Sequence, residues 1–251
     1  MKPRFLFSSC LMALLLTPTA RAGGTEHICR AALDQARESS SEARPLAEVL
    51  ARYEALEEHC LRSAISPDLR LEALAESAEA RWVYGKDFAG ALEIYEKALA
   101  EAGAHLPGSD PVRIQLIEGL ARALHSLWSQ GRTEAPDANL PRIVALYQQA
   151  HELNVRRYGA TSPEAARALL NLSNLELEER PDVAEAYARQ ALEARRQVCG
   201  LWGLDVSVAL QYLADALGHQ GKHHEQDEIE LLLAKVKLNG QDCPAGCCDD
   251  R

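Results

Sequence analysis

Three cysteines, Cys243, Cys247 and Cys248, fall within six positions of the closing segment QDCPAGCCDDR. Thiols at this density suit two chemistries: holding a soft metal ion, or forming disulfides. A metal site would draw its remaining ligands from His219, His223 or His224. His219 and His223 stand four apart, a spacing that stacks two imidazoles on one face of a continuous helix. Gly221 falls between them and argues against that continuity. The adjacent pair Cys247-Cys248 also fits poorly into neighbouring corners of a tetrahedron. The tail therefore reads as disulfide-forming, with no metal and no cofactor.

Disulfides need an oxidising compartment, and the N-terminus directs the chain to one. Lys2 and Arg4 precede an apolar run over residues 5–16, and Ala20-Arg21-Ala22 supplies a small-x-small cleavage site. This is the pattern of a secretory signal peptide over residues 1–22, cleaved after Ala22. The apolar run falls well short of the ~20 residues that span a bilayer. Cys10 lies inside it rather than after it, which argues against a lipid anchor. The expected product is exported, periplasmic or secreted, with no membrane span in the mature chain. Cleavage leaves an even set of cysteines, Cys29, Cys60, Cys199, Cys243, Cys247 and Cys248. Six cysteines allow 15 connectivities.

Loss of Lys2, Arg4 and Arg21 takes the formal net charge from −10 to −13. So acidic a chain repels phosphate backbones and anionic lipid, and it carries no basic stripe with interleaved aromatics. Nucleic acid is excluded as an expected partner.

The elements that must position these residues are helices. Only 5% of the residues are aromatic, and Ala, Leu, Glu and Arg dominate over the residues that strands prefer. Apolar positions recur at three and four spacing over residues 25–39, 46–63, 69–83, 89–102, 111–128, 142–158, 163–177, 183–199, 205–219 and 223–238. The polar run Ser39-Ser40-Ser41 ends the first of these, and Ser109-Asp110-Pro111 and Thr161-Ser162-Pro163 open two others as N-cap and first-turn proline. No Gly-rich phosphate loop, HExxH or GxSxG is present, so the chain reads as non-enzymatic.

Two segments repeat. AHELNVRRYG returns as ALEARRQVCG, matching Ala150 to Ala191 and Gly159 to Gly200, 41 residues apart in both cases. A period of this length marks a helical solenoid. In such an array the second helices of successive hairpins run parallel, which sets the tail beside Cys199. Cys199 then pairs with Cys243 or Cys247, and the two tail cysteines left over bond each other or stay reactive. Cys29 and Cys60 pair by elimination. With a bend near Ser41, Cys29 sits about 12 residues from it and Cys60 about 19, a mismatch near 10 Å at 1.5 Å per residue. An extended lead-in at Cys29 would relieve it.

The segment GKDFAGALEIYEKAL, with Ala91, Tyr95 and Ala98-Leu99, resembles the second half of a tetratricopeptide repeat. The 41-residue spacing, with Gly159 and Pro163 between units, is similar to the kinesin-light-chain type. The resemblance covers residues 69–238 and implies an all-α, right-handed α-solenoid of about five helical hairpins. Residues 23–66 would form an N-terminal hairpin cap, residues 67–240 the repeats and residues 241–251 the cysteine-rich tail. It further implies a protein or peptide partner on the concave face, which the first helix of each pair builds. With Leu120, Leu172 and Leu213 aligned as equivalent core positions, that face carries Arg122 and His125, then Asn171, Asn174 and Glu178, then Tyr212, Asp215 and His219. The leading expectation is an exported interaction scaffold. The alternatives are a redox or metal-handling protein acting through the tail cysteines, and a structural subunit of an envelope assembly.

Overall fold

The computed structural model describes residues 18–41, 45–61, 65–108, 110–133, 136–200 and 204–239. They form ten α-helices in five consecutive hairpins: α1 Pro18–Ser41 with α2 Leu46–Leu61, α3 Pro67–Ala80 with α4 Phe88–His105, α5 Pro111–Ser129 with α6 Pro136–Tyr158, α7 Pro163–Glu176 with α8 Pro181–Cys199, and α9 Leu204–His219 with α10 His223–Asn239. Each helix packs on the next in sequence, and most first helices also touch the first helix of the following hairpin. This is an all-α solenoid. No described helix is long and apolar enough to cross a membrane.

Local chemistry sets the starts. Prolines open α3, α5, α7 and α8, where their missing N–H groups would have lacked a partner anyway. The Asp110 side chain accepts from the Val112 N–H at 2.9 Å, and Ser162 Oγ from the Ala165 N–H at 3.2 Å. The helix α6 begins at Pro136, six residues before the expected start, and contains Pro141. That proline lies close enough to the helix start to remove only one early hydrogen bond. Equivalent glycines, Gly159 and Gly200, follow α6 and α8 with φ of 95° and 63°, a range costly for any residue with a Cβ.

The repeat packs as its small and aromatic residues require. Ala91, Tyr95 and Ala98 are all fully buried, together with Leu71, Ala75, Leu116 and Leu120. An added Cβ at Gly119 would lie 2.2 Å from the Tyr95 ring, so α5 crosses this tyrosine at a distance that only glycine allows. A second core joins Leu169, Leu170, Ala188 and Ala191 to Leu210, Leu213 and Leu217.

At the N-terminal end Cys29 and Cys60 form a disulfide with 5.0 Å between Cα atoms. The expected extended lead-in is absent, because α1 is helical through Cys29 and continues across the serine run to Ser41. The bend therefore lies later than the serines suggested. Cys29 sits 12 residues before the end of α1 and Cys60 14 residues after the start of α2, a mismatch of only about 3 Å. The helix α8 ends on Cys199, but Cys243, Cys247 and Cys248, and with them the expected bridge to Cys199, lie outside the described residues.

At the other end Glu185 of α8 clips the turn between α9 and α10. It accepts from Lys222 Nζ at 2.7 Å, Gln220 Nε2 at 2.8 Å and Arg189 Nε at 2.7 Å. Partial burial pushes the Glu185 carboxyl up, but these donors outweigh it and hold the pKa at about 2. A depressed carboxylate contributes stability that is complete above the unfolded value near ~4.3 and is lost as pH falls towards 2. Thermal melts between pH 5 and pH 2 are expected to fall more steeply for the native chain than for Glu185→Gln. At pH 7 the same substitution is expected to cost about 1 kcal/mol, allowing for solvent screening. Parallel pH profiles for the two proteins would refute the clip.

Candidate functional site: the seam between the third and fourth hairpins

The first helices α1, α3 and α5 approach one another in turn, as do α7 and α9, but α5 and α7 stand further apart. Their seam carries long polar side chains where the seam between α7 and α9 carries Ala166, Leu169, Leu170, Ala209 and Leu210. Two adjoining cavities open there, of about 380 and 310 Å³. Arg122 lines both.

The smaller cavity is walled by Trp82, Arg122, His125, Ser126, Ser129, Tyr147, Asn171 and Asn174. Trp82 reaches it from a single π-helical turn, Arg81–Gly85, which closes α3. Such a turn re-aims side chains relative to a regular helix. The indole Nε1–H donates to Ser126 Oγ at 3.0 Å, and the Arg122 guanidinium lies 4.8 Å from the centre of the Trp82 ring. Arg122 Nη1 donates to Glu79 Oε1 at 2.8 Å, and Tyr95 Oη–H donates to Glu79 Oε2 at 2.9 Å. Burial works against the charge on Arg122, but Glu79 outweighs it and raises the pKa above the ordinary arginine value. Burial also raises Tyr95 and Tyr147, with Glu79 adding to the effect on Tyr95. Burial lowers the pKa of His125, which favours the neutral ring at pH 7. Its imidazole meets the edge of Tyr147 at 6.3 Å between centroids.

The larger cavity lies between α5, α6 and α7. It is lined by Glu79, Pro111, Ile114, Gln115, Glu118, Arg122, Asn154, Tyr158, Glu164 and Arg167. Glu118, only 7% exposed, accepts from Asn154 Nδ2 at 2.6 Å and from Arg167 Nη2 at 3.1 Å.

Four of the eight residues expected on the concave face, Arg122, His125, Asn171 and Asn174, come together in the smaller cavity. The other four line neither cavity. Glu178 falls in the turn after α7 and His219 is the exposed last residue of α9. Tyr212 is half-buried against the second core, and Asp215 accepts from Gln211 Nε2 at 3.0 Å. His219 and His223 end one helix and begin the next, on either side of the turn at Gly221. Among the described residues no group of three or more His, Cys, Asp or Glu side chains is placed to hold a metal ion.

The sequence reading did not reach Glu79, Glu118, Asn154 or Arg167, and it took Trp82 only as part of an apolar helix face. For Asn154 a signal was available. It lies four residues after Ala150 on the buried stripe of α6, and a polar residue on such a stripe needs a buried partner.

No family model matches the sequence, and none of the curated proteins is detectably similar. Solved structures are similar. BtubC (BKLC) from P. vanneervenii superposes with a TM-score of 0.66 at 15% identity, over 92% of this chain and 96% of that one. A Podosopora anserina protein of kinesin light chain description, with nearly identical TPR-like repeats, superposes with a TM-score of 0.68 at 17% identity, over 87% of this chain and 98% of that one. The fold is that of a tetratricopeptide-type repeat array. In this array the first-helix surface is interrupted at one seam, and the arginine, histidine and asparagines expected there stand around it.

Proposed function

We propose that the chain is an exported, non-enzymatic scaffold that binds a peptide segment of a partner protein in the seam between α5 and α7. The observation that carries this reading is the pair Asn171 and Asn174. They line the smaller cavity three positions apart on α7, and among the described residues their side-chain amides have no hydrogen-bond partner. Each amide offers a donor and an acceptor, the complement of an extended peptide unit. The Trp82 and Tyr147 walls supply apolar contact beside them.

Export rests on the N-terminal pattern, and sequencing the mature chain should return Gly23 as its first residue. For binding, the mature oxidised chain is used as bait on the native envelope fraction, and each retained protein is re-tested as purified peptides. Asn171→Ala with Asn174→Ala is expected to weaken the retained peptide by about tenfold or more, at about 1 kcal/mol for each lost hydrogen bond. The melting temperature should be unchanged. Recovery of nothing above background, or an affinity indifferent to both asparagines, refutes the proposal.

A further inference from the structure

We infer that the peptide held in this seam carries a lysine or arginine, whose side chain lies in the larger cavity with its cationic head at Glu164. The inference rests on the seam being a peptide site and names the chemistry of the occupant.

The charges lining the cavity decide it. Glu79, Glu118 and Glu164 face Arg122 and Arg167. Arg122 is committed to Glu79, while Arg167 is committed to Glu118, which Asn154 also holds. Among the described residues Glu164 has no side-chain partner; its backbone carbonyl accepts from Asn154 Nδ2 at 3.3 Å. The cavity is therefore one negative charge in excess, within a chain of net charge −10.

The helix ends do not reverse this. Helix N-termini favour anions, and both α5 and α7 begin at the cavity. Asp110 and Ser162 already take N–H groups of those first turns, and Glu164 itself adds negative charge to the second. An incoming carboxylate would meet Glu164 and Glu118 in a partly desolvated space, which is costly.

Shape agrees with charge. Pro111 and Ile114 give the cavity apolar walls, and long basic side chains lay their methylene stems on such surface while the head stays polar. Tyr158 is 45% exposed and already carries Arg157 at 5.6 Å from its ring centre, so its ring accepts a cation. Gln115 adds an amide whose carbonyl can accept from an ammonium or guanidinium.

The test uses the mature oxidised protein and four libraries of blocked nine-residue peptides. Lysine, arginine, glutamate or norleucine is fixed at the centre, and the flanks are randomised among uncharged residues. Fluorescence anisotropy is expected to show the lysine and arginine libraries binding about fivefold more tightly than the norleucine library, the size of one partly exposed ion pair. Glu164→Gln, nearly isosteric, should abolish that preference without changing the melting temperature. A preference for glutamate, or a lysine preference that survives Glu164→Gln, overturns the inference. Equal binding of all four libraries, weakened alike by Asn171→Ala, overturns the cationic occupant and leaves the peptide site standing. If no library binds, both readings fall.

Discussion

Arg195→Ala is expected to cost about 3–5 kcal/mol, the range for breaking a buried ion pair by removing one partner. Arg195 is 2% exposed near the end of α8. Its Nε lies 2.7 Å from Asp205 Oδ2 in the first turn of α9, and its Nη1–H donates to the Thr161 carbonyl at 2.7 Å. One guanidinium thus joins the fourth hairpin to the fifth and to the loop before α7. Truncation leaves Asp205 without this cation, the Thr161 carbonyl without this donor, and a void where a long side chain was packed. Lysine should recover only part of the loss, because a single ammonium cannot serve two acceptors at different angles as a planar fork does. Urea unfolding followed by circular dichroism measures the loss. In a solenoid the damage should stay local, so hydrogen exchange should quicken first in α9 and α10. A cost below about 1 kcal/mol would mean that the pair behaves as a solvent-screened surface bridge.

The same position explains what the repeat does and what the sequence conveyed of it. Arg195 is 41 residues after Asn154, and Asp205 is 41 residues after Glu164. Asn154 reaches the backbone of Glu164, as Arg195 reaches the side chain of Asp205. Each strap ties the second helix of one hairpin to the first turn of the next hairpin. The alternation of apolar residues announced the helices, the hairpins and their order, because core positions such as Leu120, Leu172 and Leu213 recur with the helical period and are all buried. The partnerships of polar residues were not announced. Glu79 and Arg122 are 43 residues apart, and Glu118 and Arg167 are 49 apart. Ion pairs between successive units depend on how closely two helices approach, a quantity that no spacing within one helix encodes. The same limit applies to the seam. That Arg122, His125, Asn171 and Asn174 share one face was what the resemblance implied once Leu120, Leu172 and Leu213 were aligned, whereas the gap between α5 and α7, lined by long polar side chains, had no counterpart in that alignment.

Removing the Cys29–Cys60 bond through Cys29→Ala with Cys60→Ala is expected to cost about 3–4 kcal/mol, the loop-closure entropy returned to the unfolded chain when a separation of 31 residues is no longer bridged. Alanine is the right replacement, since both sulfurs are fully buried among Leu33, Val49, Tyr53 and Leu56, and a serine hydroxyl there would add a desolvation cost of its own. The effect should be confined in space. Leu69, Ala73 and Ala80 of α3 share this core, so exchange should quicken through α1, α2 and the adjoining face of α3. The helices α5 and α7 pack on α3, α4, α6, α8 and α9, and the seam touches α2 through the π-helical turn that carries Trp82. That turn also rests on α3 and α4, so peptide affinity in the seam should stay within about twofold. The full chain in urea, with and without a reducing agent, separates the two contributions. Reduction should reproduce the alanine variant in the native protein and do nothing further to α1 and α2 in the variant. If reduction instead melts the whole array in one step, the hairpins are coupled more strongly than a nearest-neighbour solenoid permits, and the cap is then the nucleus on which the other four hairpins depend.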